Sequence, residues 1–143
     1  MIKFEIIGKP IGKQRPRVTR WTTYTPDKTI NYETFVRYTF INEFPNFTPM
    51  ENAVKAKITA YFEVPKSYSK KKKKECLTNL DYIHKPDVDN ISKIILDALN
   101  GLAYHDDNQV SCLLVFKNYT DGQEKVVVEL EEIDKATEQE EKK

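Results

Sequence analysis

The sequence is poor in residues that build soft-metal sites or covalent cross-links, with two cysteines and two histidines in 143 residues. Cys76 and Cys112 lie far apart and form no C-x-x-C pair. That excludes a zinc site, and in a reducing compartment both are expected as free thiols. Long apolar runs are also missing. Met1 to Gly8 includes Lys3 and Glu5 and is too short for a signal peptide or membrane span, so a cytoplasmic protein with no membrane partner is expected. No internal repeat is present. The formal net charge is only +1, so composition alone gives no reason to expect nucleic acid.

What is present suits one compact unit with one core: 39% hydrophobic and 31% charged residues in a chain of this length. We expect a single domain over 1–133, followed by a charged stretch, 134–143, without an apolar stripe and therefore frayed or disordered. The distribution of charge says more than its total. Residues 1–85 hold 17 Lys/Arg against 8 Asp/Glu, whereas residues 86–143 hold 6 against 14. A basic half joined to an acidic one suits a protein that must attract a phosphate backbone and also hold divalent cations.

In chain order, Ile2, Phe4 and Ile6 alternate with Lys3 and Glu5 and predict a strand. Gly8 to Tyr24 reads as an irregular loop carrying Lys9, Lys13, Arg15, Arg17 and Arg20, with Trp21 and Tyr24. It can serve as a DNA arm, its arginines bidentate to phosphate. The alternative is a solvated loop with Trp21 packed on the core, and packing is the role expected of Trp21 itself. A helix is expected over 29–43, with Tyr32, Phe35, Val36, Thr39 and Phe40 on its core side. Ala53 to Val64 alternate strictly and give the clearest strand. Ser69 can cap a short helix through Lys70, Lys71, Lys72, Lys73 and Lys74, a run that is either a solvated face or a phosphate contact. Val110 to Phe116 is apolar on both faces and reads as a central strand. Thr120-Asp121-Gly122-Gln123 then reads as a hairpin turn into an antiparallel strand through Val126, Val128 and Leu130. This order of elements predicts an α+β, two-layer domain whose mixed, mainly four-stranded sheet is packed by helices.

The chemistry concentrates in one stretch. Lys85-Pro86-Asp87-Val88-Asp89 leads into a helix whose Ile91, Ile94, Ile95, Ala98 and Leu99 form a buried stripe, while Asp89, Lys93 and Asp97 recur every four residues on the other side. Gly101 supplies a stop, and Asp106-Asp107 follow. Each residue has a plain alternative: Asp87 or Asp89 as an ordinary helix cap, Lys93 as a surface partner of Asp89, Asp106 and Asp107 as turn residues. Asp97 is assigned to supporting structure and not to a metal. An EF-hand beginning at Asp87 fails, because its sixth and twelfth loop positions are Ser92 and Ala98 in place of Gly and Glu. A paired-carboxylate glycosidase would leave the basic half of the chain unexplained.

The run KPDVDNISKIILDALNGLAYHDDNQV resembles the signature of the RusA family of Holliday junction resolvases, which occur in bacteria and their phages. The R-P-R and Y-T-P elements near the start are also similar to that family's. The resemblance implies a RusA-like fold and an active site of Asp87, Asp89, Asp107 and Lys93. In that site the three aspartates hold Mg²⁺, with Mn²⁺ able to substitute, and Lys93 acts on the developing phosphate charge or the attacking water. It implies a crossover junction endodeoxyribonuclease that acts on four-way DNA in recombination and repair by paired symmetric nicks, which two copies in a homodimer would deliver. DNA contacts are expected from Lys13, Arg15, Arg17, Arg20, Lys85 and the lysine run 70–74. The alternative is a nonenzymatic junction-binding protein of the same fold. Spacing leaves open how Asp107 could return to Asp87 and Asp89 across a short loop.

Overall fold

A computed structural model describes residues 1–133, so the expectation for 134–143 lies outside the described residues. The chain forms strand β1 (Ile2–Ile7), a two-residue ribbon β2 (Arg17–Val18) and β3 (Thr23–Tyr24), and helix α1 (Asp27–Glu43). Strand β4 (Ala53–Glu63), helix α2 (Lys70–Asn79), helix α3 (Val88–Ala98), a 3-10 turn at Asp107–Gln109, and strands β5 (Val110–Thr120) and β6 (Lys125–Ile133) follow. No helix among the described residues is long and apolar enough to cross a membrane.

The four long strands make one mixed sheet in the order β1-β6-β4-β5, with β6 antiparallel to both neighbours and β4 parallel to β5. Strict alternation sends Phe4, Ile6, Val54, Ala56, Ile58, Phe62, Val126, Val128 and Leu130 into the core, where they meet Val36 and Phe40 of α1 and Ile91, Ile94, Ile95 and Leu99 of α3. Each of the larger of these side chains contributes about 1.5–3 kcal/mol on burial, so the sheet and the two helices hold one another. Phe4, Phe40, Phe44 and Phe47 add tilted and edge-to-face contacts, with Phe4 and Phe40 5.4 Å apart. This is the expected α+β two-layer architecture. The Arg37 guanidinium of α1 donates to the carbonyls of Ala98 (2.9 Å) and Asn100 (3.0 Å), satisfying the end of α3 and fixing the two helices together.

Four expectations are corrected. Val110 to Phe116 is not central: β5 is an edge strand, and the wholly buried inner face of β6 takes the interior place. Thr120 to Gln123 does not close a hairpin between neighbours, because β4 lies between β5 and β6. The connection steps over the end of β4, where Glu124 accepts from the Glu63 amide through its carboxylate (3.2 Å) and from the Gly8 amide through its carbonyl (2.9 Å). Crossing two strand spacings needs about 10 Å, within the reach of four extended residues, about 13 Å. Trp21 does not pack on the core: it is 85% exposed, with the Arg20 guanidinium 5.2 Å from its ring. On α1 the core stripe is narrower than expected, since Tyr32, Val36 and Phe40 are buried whereas Phe35 is exposed and Thr39 only half-buried.

Candidate functional site

Helix α3 begins where its sequence said it should, but its first acid is not used as a cap. Asp87 occupies the N-cap position with extended backbone (φ −71°, ψ 155°), and its side chain accepts no capping hydrogen bond. Its carbonyl takes the Ile91 amide at 3.0 Å, so the helix starts without the carboxylate. Asp89 and Lys93 are exposed, and among the described residues they form no ion pair with each other. The eight-residue step from Asp89 to Asp97 along this face spans about 12 Å.

The return of the chain is solved by a tight loop that doubles back. Gly101 takes φ +77°, a conformation that suits glycine, and donates to the Tyr104 carbonyl at 2.9 Å. The Leu102 and Ala103 amides both bond the Leu99 carbonyl. Tyr104 is fully buried, and its hydroxyl donates to the Leu96 carbonyl at 2.6 Å. The loop therefore sets Asp107 beside the last turn of α3, where its amide donates to the Asn100 Oδ1 at 2.7 Å.

The two adjacent acids then divide. Asp106 is the turn residue: its carboxylate accepts the Asn108 amide at 3.0 Å, while the Gln109 Oε1 accepts the Asp106 amide at 3.0 Å, closing a capping box. That amide holds the Asp106 carboxyl below the usual carboxylate range. Asp107 is pushed up to about 6, first by burial, then by hydrogen bonding to Asp106 and Asp97 and by the negative charge of both.

Asp97 joins this cluster to a cation. The Lys13 ammonium lies 3.2 Å from the Asp97 carboxylate and also pairs with Glu33. Burial alone would lower the Lys13 pKa, but hydrogen bonds and charge from Glu33 and Asp97 outweigh it and leave it raised. The Lys13 charge, expected at a DNA contact, is here engaged with Glu33 and Asp97. Its amide donates to the Asn90 carbonyl at 2.8 Å, and Gly12 brings the strap this close. A Cβ on Gly12 would stand 2.6 Å from the Pro86 Cβ and 3.2 Å from the Asn90 Cβ. Neither Glu33 nor the pairing of Lys13 had any signal in the sequence.

The other basic positions remain accessible. Arg15, Arg17 and Arg20 are exposed on and around the β2–β3 ribbon, and Lys70, Lys71, Lys72 and Lys74 are exposed on α2, with Lys73 partly covered. Ser69 caps that helix as expected, accepting the Lys72 amide at 3.2 Å. Lys85 lines a cavity of about 500 Å³ between the strap at 9–14 and the start of α3, with Asp87 on its wall and Lys9 and Lys28 as further cations. Lys28, in the first turn of α1, was not anticipated. Nor was Lys117, whose ammonium bonds the carbonyls of His84 and Pro86 (2.8 Å to Pro86) and braces the approach to Asp87.

Hard carboxylate oxygens are the donors that Mg²⁺ prefers. Among the described residues, however, no three His, Cys, Asp or Glu side chains gather closely enough to hold one ion. Asp87 and Asp89 stand at the start of α3, while Asp107 stands with Asp97 near its end. The donor chemistry fits the ion, and the donors are divided along one helix face.

Comparison with known proteins matches residues 8–131 to the family described as Endodeoxyribonuclease RusA. A curated relative, the uncharacterized protein YqaN of Bacillus subtilis (strain 168), is 34% identical over 127 residues, covering 84% of this chain and 89% of the relative. With its mixed four-stranded sheet, its helix begun at Asp87 and a family match across most of its length, the chain belongs to the RusA endodeoxyribonuclease family.

Proposed function

We propose that the protein is a Mg²⁺-dependent endodeoxyribonuclease that resolves four-way DNA junctions by paired nicks during recombination and repair, acting as a homodimer. One observation supports this above the rest: the carboxylates of the signature segment are spared structural work. Asp87 caps nothing with its side chain, and Asp106 does the capping that leaves Asp107 free of it. Asp87, Asp89 and Asp107 would hold Mg²⁺, with Mn²⁺ as a substitute. When bound, the ion would supply Lewis-acid polarisation of a phosphodiester and an activated water.

The chain's own residues contribute position and charge. Lys93, on the same face as Asp89 and without an ion-pair partner among the described residues, is a fixed cation for the charge that develops on phosphate. Asp97 and Lys13 set the orientation of Asp107. The exposed Arg15, Arg17 and Arg20, the run Lys70 to Lys74, and Lys85 with Lys9 and Lys28 at the cavity offer contacts to the DNA backbone. The divided carboxylates favour a second reading, a junction-binding protein that does not cut. Incubating the purified protein with a synthetic four-way junction, with Mg²⁺ and with excess chelator, separates the two. Symmetric nicks that require the metal are expected. Tight binding without nicks under both conditions would establish the second reading, and full cutting in chelator would end the metal mechanism.

A further inference from the structure

We propose that Trp21, at the tip of the β2–β3 ribbon, stacks on an unpaired base where a branched DNA opens, and so lets the protein tell a junction from a continuous duplex. The inference deepens the proposed function and rests on it for the class of substrate; the surface follows from the ribbon alone.

The ribbon is a sheet of its own, with Arg17 opposite Tyr24 and Val18 opposite Thr23. Its turn is closed between two threonines. The Thr19 amide (2.7 Å) and hydroxyl (3.0 Å) both donate to the Thr22 carbonyl, and the Thr22 amide donates to the Thr19 Oγ1 at 3.1 Å. Arg20 and Trp21 are thereby left as the tip, and every residue from Arg15 to Tyr24 is exposed. The root, by contrast, is fixed. The Gln14 amide donates to the Oγ1 of buried Thr29 at 3.1 Å, the Lys13 amide bonds the start of α3, and Pro26 is buried at the head of α1. The arm therefore rises from beside the segment that carries Asp87 and Asp89. Seven residues from Gln14 to Trp21 reach about 25 Å at most, so the tip stays within the span of one branch point from that segment.

Trp21 is 85% exposed and forgoes the burial that a large aromatic side chain usually gains. The Arg20 guanidinium stands 5.2 Å from the ring centroid and covers one face. The other face is open to water. A ring backed by a cation on one side presents a flat apolar surface for one more flat partner on the other.

Charge selects the occupant. From Gln14 to Pro26 the chain carries Arg15, Arg17 and Arg20 and no acid. A second copy would set arginine against arginine, so the partner is anionic. A lone ring between Thr19, Arg20 and Thr22 lacks the apolar face that anchors a peptide in a bilayer. Single-stranded nucleic acid matches both features, with phosphates for the arginines and a base for the ring. An intact duplex keeps its base faces against one another and shows only their edges in its grooves. The ring finds a partner only where that stack is interrupted, as it is at a branch point.

Trp21 is the single tryptophan of the chain, so indole emission reports this ring alone. The test is a titration of the full-length protein, with Ca²⁺ in place of Mg²⁺ to keep DNA uncut, against a synthetic four-way junction and against continuous duplexes of its arms. We expect the junction to quench the emission far more than the duplexes do at saturation. Trp21→Ala should lose junction affinity on the order of 10-fold, keep its duplex affinity and its far-ultraviolet circular dichroism, and be partly rescued by Trp21→Phe. A 2-aminopurine at the branch point should respond to wild type and not to Trp21→Ala. Equal quenching by junction and duplex, or a Trp21→Ala affinity that falls equally for both or for neither, would overturn the inference. So would an equal emission change with anionic phospholipid vesicles. Junction-selective quenching by a protein that nicks nothing in Mg²⁺ would refute the proposed function and leave the stacking role intact, whereas normal nicking without selective quenching would do the reverse.

Discussion

Replacing Asp107 with Asn should make the protein more stable and less active, and the stability gain should appear only above a certain pH. Asp107 shares its space with Asp97 and Asp106, and burial with their charge raises its pKa from 3.8 to about 6. Taken at full value, that rise corresponds to about 3 kcal/mol at 1.36 kcal/mol per unit. The side chain is partly open to water, and screening reduces the usable amount to about 1 kcal/mol. The sign follows from proton binding. Between pH 4 and 6 the folded protein holds a proton that the unfolded chain has released, so folding stability falls as pH rises through this window and stays low above it. Asn carries no charge at any pH. In EDTA, urea unfolding should therefore show Asp107→Asn gaining about 1 kcal/mol over wild type at pH 7.5, with the difference closing as pH approaches 4. On the same samples with Mg²⁺ added, wild type should be stabilised more than the variant, and junction nicking by the variant should fall on the order of 100-fold, since small misplacements at a reacting centre have effects of that size. A gain equal at all pH values, or a loss at pH 7.5, would refute the account of the acid cluster. Near-normal nicking would remove Asp107 from the active site.

Replacing Lys13 with Met should lower stability by exposing Glu33 and Asp97 to each other, but leave the salt dependence of junction binding unchanged. Arg15→Ala with Arg17→Ala should flatten that salt slope by about one unit for each phosphate that is no longer neutralised, as measured by binding titrations at several salt concentrations. Gly12→Ala forces a Cβ against Pro86 and should cost about 1–3 kcal/mol, read as a lower melting temperature. Tyr104→Phe removes the buried hydroxyl from the Leu96 carbonyl and should cost about 1 kcal/mol or somewhat more in urea unfolding. Ca²⁺ should support junction binding better than cutting, because it relaxes the octahedral geometry that Mg²⁺ demands; comparing binding and nicking in the two ions checks this.

Much of the fold was legible because periodicity reports burial directly. The alternation of Val54, Ala56, Ile58, Ala60 and Phe62 and the stripe of Ile91, Ile94, Ile95 and Leu99 each gave their element and its inner face. Strand neighbours were less legible. The apolar run from Val110 to Phe116 reads as interior, since a sequence reports that both faces avoid water without saying whether a sheet or another molecule covers them. Thr120 to Gln123 looks like a hairpin turn because composition does not reveal that another strand lies beneath the connection. At the candidate site, the start of α3 and the stop at Gly101 were visible. The engagement of Lys13 was not, because its partners, Glu33 and Asp97, lie 20 and 84 residues away in the chain. The separate duties of Asp106 and Asp107 rest on which carboxylate meets the Asn108 amide, a matter of backbone direction that spacing does not carry.

The placement of β6 has a consequence for how the protein comes into being. β6 is the latest strand in chain order, yet it sits inside the sheet as the sole partner of β1, the earliest, and as one of two partners of β4. Until residue 125 and those after it are available, β1 has no strand to pair with and the apolar inner face of β4 lacks one flank. Nascent chains stalled anywhere before Lys125 should thus expose Phe4, Ile6 and much of β4 to proteases and chaperones. Folding must wait for pairings that span nearly the whole described sequence, so it should be slow for a domain of this size. A premature stop within β6 should abolish the fold rather than trim it.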